Sequence, residues 1–309
     1  MRTALVGYTG FVGGNIAASC TFDGLYNSKN INSAFGEKYD LLIYAGVRAE
    51  KFLANRNPQG DRAMIRQAFE NIKRIDPKKV VLINTIDVYR DTNGKDETSV
   101  MQIDNLQPYG KNRLELESLV QDHFDSLVVR LPALFGKGIK KNFVYDALTI
   151  IPSMLNDEKY ALLSAKSDLV RECYHGSDNG FYTLDSLESK KKSELREFFE
   201  NNDWNALYFT DSRNRYQFYD LSNLWADIKT ALEYNLKLLN LTSEPVSASE
   251  VSVECFGRTF ENIMGNDPAE YDLRSVHADL FEGENGYCYS KEKVMDGLKK
   301  FVTEYMNEA

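Results

Sequence analysis

The sequence is short of cysteine, of positive charge and of long apolar runs. Its four cysteines, Cys20, Cys173, Cys255 and Cys288, are widely scattered and form no C-x-x-C pair, which argues against both a disulfide framework and a zinc ribbon. Cys173 and His175 have no further ligands at metal spacing, so no metal site is expected. No apolar run approaches the ~18 residues of a membrane span, and the strand pattern already begins at Thr3, so neither a membrane segment nor a signal peptide is expected. With 46 acidic against 37 basic residues the formal charge is −9. That balance argues against a nucleic-acid surface and leaves room for a local basic pocket around a phosphorylated ligand. A soluble protein of the reducing cytoplasm is the expected setting. No repeat or low-complexity tract is present.

What the sequence does have is apolar residues, 43% of 309, enough for about two domains with real cores. Short apolar runs ("TALVG", "DLLIYAG", "KVVLINT", "SLVVRLP") alternate with helical stretches such as 60–75 and 109–124. That alternation predicts an α/β fold, a parallel sheet with helices on both faces, and runs apolar on both sides suit strands covered by two helical layers. After Phe135 the rhythm breaks. Residues 156–204 hold loops and a charged stretch whose "SKKKSE" run reads as a solvated helix face, and "NALYFTDS", "LSNLWADIKTALEYNL" and "KLLNLTS" then restore the alternation. The expected organisation is a doubly wound sheet domain from 1–155 and 216–243, and a smaller, mostly helical domain from 156–215 and 244–309.

In "ALVGYTGFVGGNIA", Gly7, Gly10 and Gly13 lie between a strand and a helix. Glycines at this spacing serve the tight turn, the close approach of backbone to a pyrophosphate, and helix-to-strand packing, while the helix N-terminus offers N–H groups to phosphate. The sheet is therefore expected to be Rossmann-type and to bind a dinucleotide. If the second strand ends near Tyr26, the next residues are Asn27, Ser28 and Lys29. Donors and a cation suit a 2′-phosphate better than a bare hydroxyl, which favours NADP over NAD, although Lys29 also reads as an ordinary exposed lysine.

"QPYGKNRLELE" opens a helix in which Tyr109, Arg113, Leu116 and Val120 follow the i, i+4, i+7, i+11 stripe of one face. Polar groups on a buried stripe need partners. Tyr109 and Arg113 therefore either satisfy one another structurally or face a cavity.

Taken in order, these motifs resemble the extended short-chain dehydrogenase/reductases, the superfamily of nucleotide-sugar epimerases, dehydratases and reductases, over roughly residues 1–245. "GYTGFVG" matches the glycine motif, "LINTIDVY" the strand carrying a catalytic hydroxyl, "YGKNR" the Tyr-x-x-x-Lys motif with arginine in place of lysine, and "VVRLPALFG" the strand beside the nicotinamide. The resemblance implies Thr85, Tyr109 and Arg113 as the catalytic set, with Tyr109 as general acid or base. It implies cofactor contacts from Gly7, Thr9, Gly10, Phe11, Val12, Gly13, Asn27, Ser28, Lys29, Ala45, Gly46 and Pro132 as well as from Tyr109 and Arg113. It also implies that Arg213, in "SRNRYQFYDL", holds the diphosphate of a nucleotide-sugar substrate, that Asn142 reaches a pyrophosphate or sugar unless it caps a helix, and that the chain can form a homodimer. Arg274 and His277 read more simply as a surface ion pair and an ordinary histidine.

Three departures stand out. The chain between the second strand and "YDLLIYAG" is short, so the usual second helix is expected to be missing. Residues 156–205 have no counterpart. Arg113 preserves the cation expected to keep the phenol acidic, but it cannot give up a proton as lysine does. Two alternatives therefore stand beside the enzyme reading: a dinucleotide-binding or sensing protein without catalysis, and a reductase of a non-sugar ketone.

Overall fold

The computed structural model describes residues 1–177, 180–202 and 204–308. Within them the chain divides into two compact units, one formed by Met1–Ile139, Tyr216–Val246 and Glu270–Gly297, the other by Lys140–Arg215, Ser247–Ala269 and Leu298–Ala309.

The first unit is built on a six-stranded, wholly parallel sheet. Its strands are β1 (Thr3–Val6), β2 (Gly24–Tyr26), β3 (Leu41–Tyr44), β4 (Lys79–Thr85), β5 (Asp125–Leu131) and a last strand, Leu238–Asn240. They lie in the order last strand, β5, β4, β3, β1, β2, with all neighbours parallel. The run "LLIY" is buried at all four positions, as a strand covered on both faces requires. Helices α1 (Phe11–Ser19), α2 (Lys51–Arg56), α3 (Pro58–Ile75) and α4 (Pro108–His123) connect the strands. On α3, Ile65, Ala68, Phe69 and Ile72 form a stripe that packs with Leu116 and Val120 of α4 onto Ala4, Val6, Leu42, Tyr44, Val80 and Leu82 of the sheet. Burying one such aliphatic side chain stabilises the fold by about 1.5–3 kcal/mol. Pro58 at the first helical position and the Asn57 side chain, which accepts from Gly60 N–H, mark where α3 begins.

As the short spacing predicted, no α-helix joins β2 to β3. A single 3₁₀ turn, Ile31–Ala34, makes the connection, and the chain passes from the sheet edge at β2 directly to β3 beside β1. The windings diverge at β1, with β2 on one side and β3, β4 and β5 on the other. That is a topological switch point, where open α/β sheets bind ligands at the carboxyl ends of their strands.

Residues 270–297 pack with this unit, whereas sequence periodicity grouped them with the smaller domain. Hydrogen bonds from Asp272 N–H to the Thr92 carbonyl and from Leu273 N–H to Gln217 Oε1 tie the segment down, and Leu273 is buried with Ile86, Val88 and Tyr89. Such long-range contacts leave no periodic trace.

The second unit has its own core of Ile150, Ile151, Leu155, Leu163, Val170, Cys173, Tyr174, Leu195 and Phe199. Besides helices it contains a three-stranded antiparallel sheet of Met154–Leu155, Tyr182–Leu184 and Tyr174–Gly176. Strands of two or three residues are too short for a period-two pattern to be read. On the helix Ser189–Glu200 the lysine run starts exposed at Lys190, while Lys191 and Lys192 are half-buried and flank the face that buries Leu195 and Phe199.

Candidate active site

The glycine turn after β1 is closed tightly. Gly7 has φ +94°, and a Cβ there would lie 2.4 Å from the Ala45 carbonyl oxygen, while one on Gly13 would lie 2.2 Å from the Gly7 carbonyl oxygen. Only glycine lets the first turn of α1 come this close to β1 and to the loop after β3. The N-terminus of α1 at Gly10 has no side-chain cap, so its leading N–H groups are directed beyond the helix end, as phosphate binding requires. These features fit the diphosphate of a dinucleotide. Thr9 and Gly10 are exposed, Phe11 and Val12 are partly buried, and Ala45, Gly46 and Pro132 follow the carboxyl ends of β3 and β5 on the same edge of the sheet. Past β2, Asn27, Ser28 and Lys29 form a turn in which Lys29 N–H donates to Asn27 Oδ1, and Ser28 and Lys29 are exposed.

Thr85 ends β4, in register with Leu131 of β5. Its hydroxyl accepts from Asp87 N–H at 3.2 Å and acts to lower the proton affinity of the Tyr109 phenol. Tyr109 is positioned by three elements. Its own N–H donates to Asn55 Oδ1 of α2 at 2.9 Å. Its ring carries the Arg113 guanidinium at 4.2 Å from the centroid. Its neighbour Gly110 lies so near β4 that a Cβ would sit 2.1 Å from the Asp87 carbonyl oxygen. The stripe Tyr109, Arg113, Leu116 and Val120 is buried at every position, as its periodicity predicts.

Arg113 is committed to partners in its own unit. Nη1 donates to Asp61 Oδ2 of α3 at 2.5 Å and Nη2 to the Arg48 carbonyl at 2.6 Å; Asn112 donates to the same Asp61 oxygen at 2.7 Å. Burial pushes the Tyr109 phenol above its ordinary value, with Asp87 acting in the same direction, and the opposing pull of Arg113, Thr85 and Lys51 does not overcome it. The arginine alone therefore does not keep the phenol acidic, because desolvation of the phenolate is the larger effect.

Four residues near the tyrosine were missed from sequence. Asp61 continues the apolar stripe of α3, four residues before Ile65, and an acid on one buried stripe facing an arginine on another was a usable signal. Lys51 Nζ donates to Asp87 Oδ1 at 2.7 Å, and Tyr271, whose phenol is pushed up chiefly by burial, feels the charges of both. No local pattern joins these three, since they come from α2, from the turn after β4 and from the 270–297 segment.

In the second unit, Arg213 spends its fork on Asp211, through Nε at 2.9 Å and Nη2 at 2.7 Å, and also donates to the carbonyls of Met264 and Asn266. The Arg213 side chain holds the Asp211 carboxyl far below the ordinary range. Asn142, at φ +90°, caps the helix Phe143–Thr149 by accepting from Val144 and Tyr145 N–H. Back in the first unit, Arg274 pairs with Asp272 at 3.0 Å and stacks on Tyr287.

No protein-family model and no curated protein sequence matches the chain. Solved structures do. A dTDP-4-dehydrorhamnose reductase from Bacillus anthracis in complex with NADP matches over 98% of this chain and 98% of its own, at 13% identity and a TM-score of 0.60. A UDP-galactose 4-epimerase matches over 100% and 99%, at 13% and 0.61. An NAD-dependent NDP-hexosamine 5,6-dehydratase involved in tunicamycin biosynthesis matches over 100% and 98%, at 14% and 0.62. At such identities the likeness is one of fold, and the chain has the α/β architecture that these nucleotide-sugar reductases, epimerases and dehydratases share.

Proposed function

We propose that the protein is an NAD(P)-dependent oxidoreductase or epimerase acting on a nucleotide-activated sugar, with Tyr109 exchanging the proton. The observation that carries this reading is the buried Tyr109, held at the start of α4 where Gly110 packs on the Asp87 carbonyl just after β4, at the same carboxyl edge of the sheet as the glycine turn between β1 and α1. When bound, the dinucleotide supplies or accepts hydride at its nicotinamide. The chain's own residues do the rest. The glycine turn and the start of α1 hold the diphosphate. Asn27, Ser28 and Lys29 face the adenine ribose and favour NADP over NAD. Thr85 orients the substrate oxygen toward the phenol, and Arg113 holds the ring of Tyr109 while adding positive charge beneath it. In the second unit Arg213, anchored by Asp211, presents its remaining surface, 44% exposed, to a substrate phosphate.

A non-catalytic dinucleotide-binding protein is the second reading, favoured by the raised Tyr109 phenol and by the commitment of Arg113 to Asp61. One experiment separates the two: oxidation of NADPH and NADH against a panel of nucleotide sugars, with Tyr109→Phe as control. The unmodified protein is expected to turn over one of them, faster with NADPH, and the variant to lose roughly 10²- to 10⁴-fold in kcat with its fold intact. Dinucleotide binding with no turnover, or full turnover by Tyr109→Phe, decides against catalysis by this tyrosine.

A further inference from the structure

We propose that Arg113 is a positioning residue anchored by Asp61 and not a ligand of the dinucleotide: it holds one face of the Tyr109 ring and does not reach the cofactor that the family resemblance assigns to it. The inference deepens the proposed function and rests on it for the importance of Tyr109, while the geometry behind it concerns only the protein's own groups.

The start of α4 rests on the junction of α2 and α3. Asn55, in the last turn of α2, accepts from the Tyr109 N–H at 2.9 Å, and the Pro58 carbonyl, at the start of α3, accepts from Asn112 Nδ2 at 3.1 Å. One turn farther along α3, Asp61 Oδ2 accepts from Asn112 at 2.7 Å and from Arg113 Nη1 at 2.5 Å. The other end of the guanidinium, Nη2, donates to the Arg48 carbonyl in the loop after β3 at 2.6 Å. The backbone of Arg113 is fixed as well, its carbonyl accepting from Asn84 of β4 at 3.2 Å. Held at both ends, the guanidinium carbon lies 4.2 Å from the centre of the Tyr109 ring.

This arrangement requires arginine. A guanidinium has donors that point in different directions and a flat face that stacks on an aromatic ring, whereas an ammonium is a compact point of charge. Lysine could not donate to Asp61 and to the Arg48 carbonyl while lying along the ring, which accounts for arginine where the Tyr-x-x-x-Lys motif has lysine. The same arrangement keeps Arg113 from a ligand. Its side chain and that of Asp61 are both buried, and a guanidinium turned outward to two ribose hydroxyls would leave Asp61 a buried carboxylate without its cation, which is strongly unfavourable. Arg113 is thus fixed by the fold, and its face limits the motion of the ring that carries the phenol.

The test uses the double variant Asp61→Asn/Arg113→Gln, which deletes both charges and so leaves neither buried alone. Two quantities are measured: the affinity for NADPH, by calorimetry, and the flip rate of the Tyr109 ring, by NMR of protein with isotope-labelled tyrosine rings, the signal being identified by its loss in Tyr109→Phe. The affinity is expected to stay within about threefold of the unmodified protein, whereas loss of a guanidinium that held the ribose would weaken it roughly tenfold or more. Ring flipping is expected to quicken roughly tenfold once the face lying on the ring is gone. Glu115→Gln, which breaks a solvent-facing pair with Arg62 and Arg66 between the same two helices, should leave the ring unmoved. A larger loss of affinity, a flip rate that does not change, or one that Glu115→Gln changes equally overturns the proposal. If the double variant does not fold, Asp61→Asn decides it, since every atom of Arg113 is still present: faster flipping supports the anchor and an unchanged rate rejects it. The flip rate is read without cofactor or substrate. A protein that binds no dinucleotide, or turns over no nucleotide sugar, defeats the proposed function and leaves the ring to decide the positioning role, whereas an active enzyme whose double variant loses its grip on NADPH defeats the positioning role alone.

Discussion

Helix α4 belongs to two buried arginine–carboxylate pairs of equal burial and different construction. At its start Arg113 meets Asp61, with side chains 3% and 3% exposed; farther along, Glu117 meets Arg130 of β5, at 2% and 4%. The second pair is saturated. Arg130 donates to both Glu117 oxygens, at 2.9 and 2.6 Å, and to the Tyr89 hydroxyl at 2.7 Å, while Asn84 donates to Glu117 and Asn240 to Tyr89. It joins α4, β4, β5 and the last strand through a closed polar network. The first pair is held through a single carboxylate oxygen, with the guanidinium face turned to the Tyr109 ring. Burial alone does not distinguish a structural ion pair from one beside chemistry. The distinction lies in how the donors are spent, two-pronged into the fold or partly onto a reactive neighbour.

The comparison can be broken at either pair. Glu117→Leu leaves Arg130 buried without its anion, and a loss of about 3–5 kcal/mol is expected in urea unfolding, with the Tyr109 titration unchanged. An effect of similar size and opposite sign comes from a buried carboxyl of a third kind. In the second unit, burial alone pushes Asp146 up to about 7. Below about pH 4 the group is neutral folded or unfolded and has no influence. As pH rises toward 7 the unfolded chain ionises first, so stability is lost across that window. Asp146→Asn escapes this loss, and its advantage over the unmodified protein, measured by thermal or urea unfolding, should open between about pH 4 and 7 and reach about 4 kcal/mol. The smallest change in stability belongs to Asp61→Asn, which keeps a hydrogen-bond acceptor beside Arg113 and should cost about 1.5 kcal/mol. That variant removes the charge opposing Arg113, so the Tyr109 phenol should titrate lower by NMR, an effect absent from Glu117→Leu. If both variants moved the phenol alike, the contrast between the pairs would collapse.

The elements that were legible in the sequence are those encoded by neighbours in the chain. The alternating apolar runs reported β1, β3, β4 and β5, while β2 had only its end, near Tyr26, to mark it. Pro58 and Pro108 opened α3 and α4 within two residues of the periodic stretches at 60–75 and 109–124. The glycine spacing marked the turn after β1, and the four-residue stripe placed Tyr109 and Arg113 on a buried face. Each depends on a helix or strand period, or on a turn only glycine can make, and these are local properties of the backbone. Periodicity reports that a face is buried without naming what covers it. That Arg113 is answered by Asp61 from 52 residues away, that Lys51 meets Asp87, and that residues 270–297 close over the turn after β4 were decided only when the chain folded, because each needs the distance between remote segments, which sequence spacing does not contain.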